Sequence, residues 1–167
     1  PDHNAVAVFS RDTKTGQLSF RQVLKDGEGN VDGLAEADSV TVSPDGKHVY
    51  AAGLADSAVA VFSRDTKTGL LSFQQVLKDG EGGIDGLAGA CSVTVSPNGK
   101  QVYAAGYYNA MAVFSRDART GLLVFRQALT GVDSLAGACW VTVSPDGKNV
   151  YASAETDNAL AVFAVSK

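Results

Sequence analysis

The amino-acid sequence predicts an all-β fold of propeller blades, each made of four antiparallel strands, with about three and a quarter blades per chain. Two observations carry this. Ala5 to Gly53 recurs as Ala58 to Gly106 with 41 of 49 positions identical, a diverged third copy starts at Ala110, and a truncated fourth, Ala159 to Phe163, follows. Each period of about 50 residues also divides into four short β-forming runs punctuated by glycine-containing turns. A fixed period of that length marks a repeat architecture, in which every unit buries its apolar faces against its neighbours.

The elements follow in order within one repeat. Val93-Thr94-Val95 is a short run that stops at Ser96-Pro97-Asn98-Gly99. The same turn reads Ser43-Pro44-Asp45-Gly46 and Ser144-Pro145-Asp146-Gly147 in the other copies. Proline presets the backbone at the first central position and Gly accepts positive φ, so each is a tight hairpin turn. Val102 to Gly106 is the second strand. A variable loop comes next, Leu54 to Ser57, Tyr107 to Asn109 or Ala154 to Asn158. Ala112 to Arg116 forms the third strand, and the turn Asp117 to Gly121 leads into the fourth, Leu122 to Gln127. Only Asp85 to Ala90 hints at a helix, and its two glycines oppose one.

Counting strands A to D from the inner edge, the chain starts and ends on C strands, which makes thirteen strands in all. The segments are a half blade at 1–37, complete blades at 38–90 and 91–138, and an incomplete blade at 139–167. Closed propellers need at least four blades, so these open faces call for a partner. Two arrangements meet that need: a longer natural protein, or self-association. The preferred expectation is a homodimer closing a ring of about six blades, in which the N-terminal strands of one copy complete the C-terminal blade of the other.

Val-Ser-Pro-Asp-Gly-Lys-x-Val-Tyr-Ala at Val42 to Ala51, then Ala-Val-Ala-Val-Phe-Ser-Arg-Asp, then Thr-Gly-x-Leu-x-Phe, resembles the lactonase-like β-propeller repeat family of 6-phosphogluconolactonase type. Related blades occur in bacterial surface-layer-type repeat proteins. The resemblance covers nearly the whole chain and implies the fold. Family members include sugar-lactone hydrolases and a muconate-lactone cycloisomerase, but no catalytic residue of those enzymes maps onto a position of this sequence. It also favours an extracellular or periplasmic location.

Composition narrows the function classes. The net charge is −4, and the basic residues are spread through the repeats, so neither nucleic acid nor an anionic membrane is an expected partner. No apolar run approaches the roughly 20 residues that span a bilayer, so a soluble chain is expected. Pro1 in place of an initiator Met, with no signal sequence after it, suggests a processed or excised piece. There is no Ser-His-Asp pattern, no phosphate-cradling loop and no Cys/His metal spacing, and no cofactor is expected. The expectation is a binding or structural scaffold rather than an enzyme; the alternative is a lactone hydrolase or isomerase.

Candidate binding residues fall on the face formed by the D-to-A and B-to-C connections, where a small polar or carbohydrate ligand is expected. Asp32, Asp85 and Asp133 recur before Gly-Leu-Ala or Ser-Leu-Ala and would either ring a channel mouth or hold their own turns. Tyr107 and Tyr108 offer aromatic surface to a sugar or protein, or pack on a neighbouring loop. The acidic, Gly-rich loops Lys25 to Gly33 and Lys78 to Gly86 resemble calcium loops, but Val31 stands where such a loop needs Gly, and no metal is assigned. Trp140 reads as core or channel lining. Of the two histidines, His3 has no counterpart, and His48 gives way to Gln101 and Asn149, which points to a solvent-facing position. Cys91 and Cys139 occupy equivalent positions and read as buried thiols, with a bridge as the rival reading. Arg11, Arg64 and Arg116 with Asp12, Asp65 and Asp117 read as local ion pairs in the C-to-D turns.

Overall fold

A computed structural model describes residues 4–165; His3 lies outside them. The described residues form thirteen strands and no helix. They are β1 (Ala5–Arg11), β2 (Leu18–Lys25), β3 (Ala37–Val42), β4 (His48–Gly53), β5 (Ala58–Arg64), β6 (Leu71–Lys78), β7 (Ala90–Val95), β8 (Gln101–Gly106), β9 (Ala110–Arg116), β10 (Leu123–Thr130), β11 (Ala138–Val143), β12 (Asn149–Ala154) and β13 (Ala159–Ala164). They make four antiparallel sheets in the orders β1-β2, β3-β4-β5-β6, β7-β8-β9-β10 and β11-β12-β13. These are blades one to four, the first lacking its A and B strands and the last its D strand. Asp85 to Gly89 is irregular chain with a bend and a turn, not helix, in keeping with its glycines.

The hairpin turns are closed as their residues dictate. Gly46 N–H donates to the Ser43 carbonyl at 2.8 Å, and Ser43 Oγ donates to Asp45 Oδ1 at 2.6 Å. Positive φ falls on Gly46, Gly99 and Gly147, the one residue in each turn that adopts it without strain.

Three apolar layers lie between successive blades. Val6 and Val8 meet Val49, Ala51 and Phe62; Tyr50, Val59 and Val61 meet Val93, Val102 and Phe114; Tyr103, Met111 and Val113 meet Val141, Val150 and Phe163. The repeated Gly-Leu-Ala or Ser-Leu-Ala of the D-to-A connections supplies a plug to each layer: Leu34, Leu87 and Leu135 are fully buried. Alternation along the strands places one set of side chains toward the preceding blade and the other toward the following one.

Polar bonds also repeat from blade to blade. Gln22 donates to the Leu71 carbonyl at 3.0 Å and accepts from its N–H at 2.8 Å; Gln75 does the same for Leu123 at 3.1 and 2.9 Å. On the inner strands, Ser39 Oγ accepts from Val93 N–H at 3.2 Å, and Ser92 Oγ from Val141 N–H at 3.1 Å. Leu71 and Leu123 are 6% and 2% exposed, whereas Leu18, at the same repeat position in blade one, is 64% exposed because no described blade precedes it.

Candidate functional site

The D-to-A and B-to-C connections do share one rim. Ala35 N–H donates to Asp56 Oδ2 at 2.9 Å, and Leu54 N–H to the Glu36 carbonyl at 3.1 Å, tying the two loops together. Asp26 and Asp79 accept from the N–H groups of Leu34 and Leu87 and so set the two plugs. Sequence reasoning passed over these two carboxylates because it sought ligand groups where the loop needed acceptors for its own backbone.

Asp32 and Asp85 each accept from the next residue's N–H, that of Gly33 or Gly86, at 2.8 Å. Asp133 is exposed and precedes Ser134, which takes the positive φ that Gly33 and Gly86 take elsewhere. The three carboxylates therefore occupy equivalent places on one rim with different surroundings. Among the described residues, Asp32 is the one of the three met by a cation: Lys78 Nζ lies 2.8 Å from Asp32 and 4.0 Å from Asp56. The bond that Lys78 donates to Asp32 raises the pKa of its ammonium above the usual lysine value.

Carboxylate oxygens of Asp26, Asp32 and Asp56 lie within 4.8 Å of one another, a set able to approach a hard cation. The Lys78 ammonium already balances two of the three. The set does not recur in the next blade, where Tyr108 and Thr130 stand for Asp56 and Lys78.

Tyr107 and Tyr108 pack edge to face, ring centres 5.7 Å apart. Their N–H groups donate to the carbonyls of Gly89 and Ala88, which pins the loop to the preceding connection. Tyr108 is 70% exposed. The loop is thus a fixed base carrying one free aromatic face, suited to an apolar sugar face or a protein side chain. Trp140 stands on the inner strand β11 with 64% of its surface exposed, at the position that Ser39 and Ser92 use to join inner strands.

The opposite rim holds a group that sequence reasoning misjudged. His48 is buried, not solvent-facing. Arg116, whose side chain is 1% exposed, reaches from blade three into blade two. Its Nε donates to Tyr50 Oη at 2.7 Å, Nη1 to the Gly99 carbonyl at 2.8 Å, and Nη2 to Asp45 Oδ2 and His48 Nδ1, both at 2.8 Å. Tyr50 Oη donates onward to the Gly121 carbonyl at 2.9 Å.

Guanidinium only donates, so His48 is neutral and carries its proton on Nε2. Burial, followed by the Arg116 charge, lowers its pKa below the ordinary value. Burial works against the Asp45 carboxylate, yet hydrogen bonds from Ser43, Arg116 and Lys47 overcome it and hold the carboxyl well below its usual range. Burial pushes the Tyr50 phenol up to about 12. An arginine, a histidine and a carboxylate meet here in a hydrogen-bonded joint between blades.

The arginine–aspartate reading of the C-to-D turns is corrected by the same geometry. Asp12, Asp65 and Asp117 each accept from two N–H groups of their own turn, as Asp117 does from Arg119 and Thr120 at 3.0 and 2.7 Å. Arg116 pairs instead with Asp45 of the preceding blade. A short loop full of orphan N–H groups claims the nearest carboxylate before an arginine can. Cys91 and Cys139 are free thiols. Cys91 is buried, donates to the Ala138 carbonyl at 2.9 Å, and burial pushes its pKa up to about 12, far from reactive thiolate.

Residues 3–81 match the family model described as Lactonase, 7-bladed beta-propeller. Over those residues the chain is similar to that β-propeller family. A Bacteroides uniformis protein provisionally named a 6-phosphogluconolactonase is similar over 97% of this chain and 48% of its own, at 25% identity and a TM-score of 0.77. A protein from Lactobacillus plantarum is similar over 98% of this chain and 46% of its own, at 24% identity and a TM-score of 0.80. The periplasmic gluconolactonase of Pseudomonas aeruginosa is similar over 76% of this chain and 35% of its own, at 24% identity and a TM-score of 0.65. The chain thus spans less than half the length of these structures. No curated protein gives a significant match. No described helix is long and apolar enough to cross a membrane.

Proposed function

We propose that the chain is a propeller scaffold that binds a small polar or carbohydrate ligand on its loop rim and completes its ring by self-association. The observation that carries the binding reading is the contrast between the two rims. Arg116, Asp45, Tyr50 and the Nδ1 of His48 are engaged with one another and with turn groups. On the loop rim, Tyr108 presents an open ring and Asp85 and Asp133 present open carboxylates. Ring completion is supported by the apolar surface left bare at both ends, Phe9, Phe20 and Val40 at one and Leu160 and Val162 at the other.

The second reading is a lactone hydrolase or isomerase, favoured by the match of residues 3–81 to the Lactonase model and by the likeness to a gluconolactonase. Titration with glucose, gluconate and gluconolactone, followed by NMR and by lactone turnover, separates the two. Saturable shifts on the loop rim that Tyr108→Ala abolishes, without turnover, support the scaffold reading. Turnover abolished by one substitution on an inner strand, such as Trp140→Ala, overturns it.

A further inference from the structure

We propose that Arg64 is the docking group for Asp146 and Tyr151 of a second copy of this chain, joined head to tail; this rests on the self-association reading above. The model for the joint is inside the chain. Between blades two and three, Arg116 at the end of a C strand binds Asp45, His48 and Tyr50 of the preceding blade. Arg64 holds the same repeat position one blade earlier. It keeps the bond that Arg116 makes to its own blade's turn, Nη1 to the Gly46 carbonyl at 2.9 Å. The remaining partners would come from the A and B strands of blade one, which the described residues do not contain. In their place is a groove lined by β1 and β3, with Phe9, Val40 and Val42 on its walls and Arg64 at its end.

The charges of the repeat say what fits there. Where blade four has Val165 in place of the arginine, the preceding blade has Asn98 in place of the aspartate. Acid and base are both lost together at that joint, and both present at the Asp45–Arg116 joint. Two members are then left over. Arg64 needs an aspartate from a preceding blade, and Asp146 needs an arginine from a following one. Asp146 is exposed; its Oδ1 accepts from Ser144 Oγ at 2.6 Å, and among the described residues its one charged partner is Lys148 of its own turn, at 3.5 Å from Oδ2. Tyr151 stands beside it where Tyr50 stands beside Asp45.

The backbone register agrees. Tyr151 pairs Val162 on β13 as Tyr50 pairs Val61 on β5. Placed ahead of blade two, β11 and β12 of a second copy bring Tyr151 and Asp146 to Arg64 and lay Leu160 and Val162 toward that groove. Either β1 or the second copy's β13 fills the C-strand place, and the joint is the same in both cases. Because the surfaces differ, each chain offers both halves, and two copies close on each other.

A mixing experiment on the 167-residue chain tests this. Wild type is expected to sediment as a dimer at micromolar concentration. Arg64→Asp and Asp146→Arg each place like charges at both joints and are expected to weaken the dimer by about tenfold or more. Mixed together, they restore one opposite-charge pair at each joint and regain dimer at wild-type strength. Asp146→Asn, which copies the natural residue at Asn98, keeps the test valid if a charge reversal disturbs folding, and is expected to weaken the dimer less. A dimer indifferent to all three substitutions overturns the pairing and leaves self-association standing. A monomer at every concentration overturns both, and assigns the open faces to a neighbour other than a second copy.

Discussion

Arg116 Nη2 and Asp45 Oδ2 lie 2.8 Å apart across the joint of two blades, and at the next joint their counterparts are Val165 and Asn98. A buried guanidinium is tolerable only when its charge and donors are met, and here four of its five N–H donors have acceptors. Replacing it removes the bonds to Tyr50, Gly99, Asp45 and His48 at once. Arg116→Met is expected to destabilise the fold by about 3 kcal/mol, and Asp45→Asn by about 1 kcal/mol. Combined, they should cost less than their sum, because the second change removes a bond already lost. Urea unfolding of the three variants measures this.

The same joint sets a pH dependence. The folded pKa of His48 is depressed, so between that value and about 6.5 the unfolded chain binds a proton that the folded chain refuses. Stability therefore falls as pH drops below about 6.5, and levels off once the folded state also protonates. Asp45 acts in a separate window, its contribution present above about 3.9 and lost in stronger acid. His48→Gln, the residue that stands at position 101, should flatten the slope below neutrality and leave the acid limb in place. Melting temperatures across about pH 2 to 8 decide it.

Much of this was legible in the sequence, because a repeat states its own alignment. The strands, the Ser-Pro-Asp/Asn-Gly turns and the two incomplete blades follow from periodicity and turn chemistry alone. His48 did not follow. Its replacement by Gln101 and Asn149 resembles surface drift, and it becomes informative only beside Asp45→Asn98 and Arg116→Val165. Those three changes belong to one joint but to two blades, so a comparison within single repeats separates them. Asp32, Asp85 and Asp133 stand at equivalent positions of the D-to-A connections, as the repeat alignment lays them out. The Lys78 ammonium against Asp32 depends on how adjacent blades pack, which no spacing in the sequence encodes.

The glutamine ladder gives a further test. Gln75 holds both backbone groups of Leu123 in a buried edge, so Gln75→Ala leaves a donor and an acceptor to find water. A loss of about 2 kcal/mol is expected. Gln127 sits at the same repeat position with no following D strand among the described residues, and Gln127→Ala should cost under about 0.5 kcal/mol in a monomeric state. Equal costs in thermal unfolding at low protein concentration would contradict the ladder.

Gly69 and Gly121 end equivalent C-to-D turns with φ of 79° and 77°. Alanine at either carries the same left-handed backbone penalty, about 1 kcal/mol. The surroundings differ. A Cβ at Gly69 would come no nearer than 3.9 Å to Arg64 Nη2, a movable group. At Gly121 it would enter the imidazole of His48, which Arg116 and the blade interface hold in place. Gly69→Ala should therefore show the backbone penalty alone, and Gly121→Ala a further loss of about 1–3 kcal/mol from overpacking. His48→Gln, which trades the ring for a flexible chain, should recover part of that further loss in the double variant. Chemical denaturation of the two alanine variants and the double checks the order. Identical midpoints for Gly69→Ala and Gly121→Ala would place the His48 ring elsewhere.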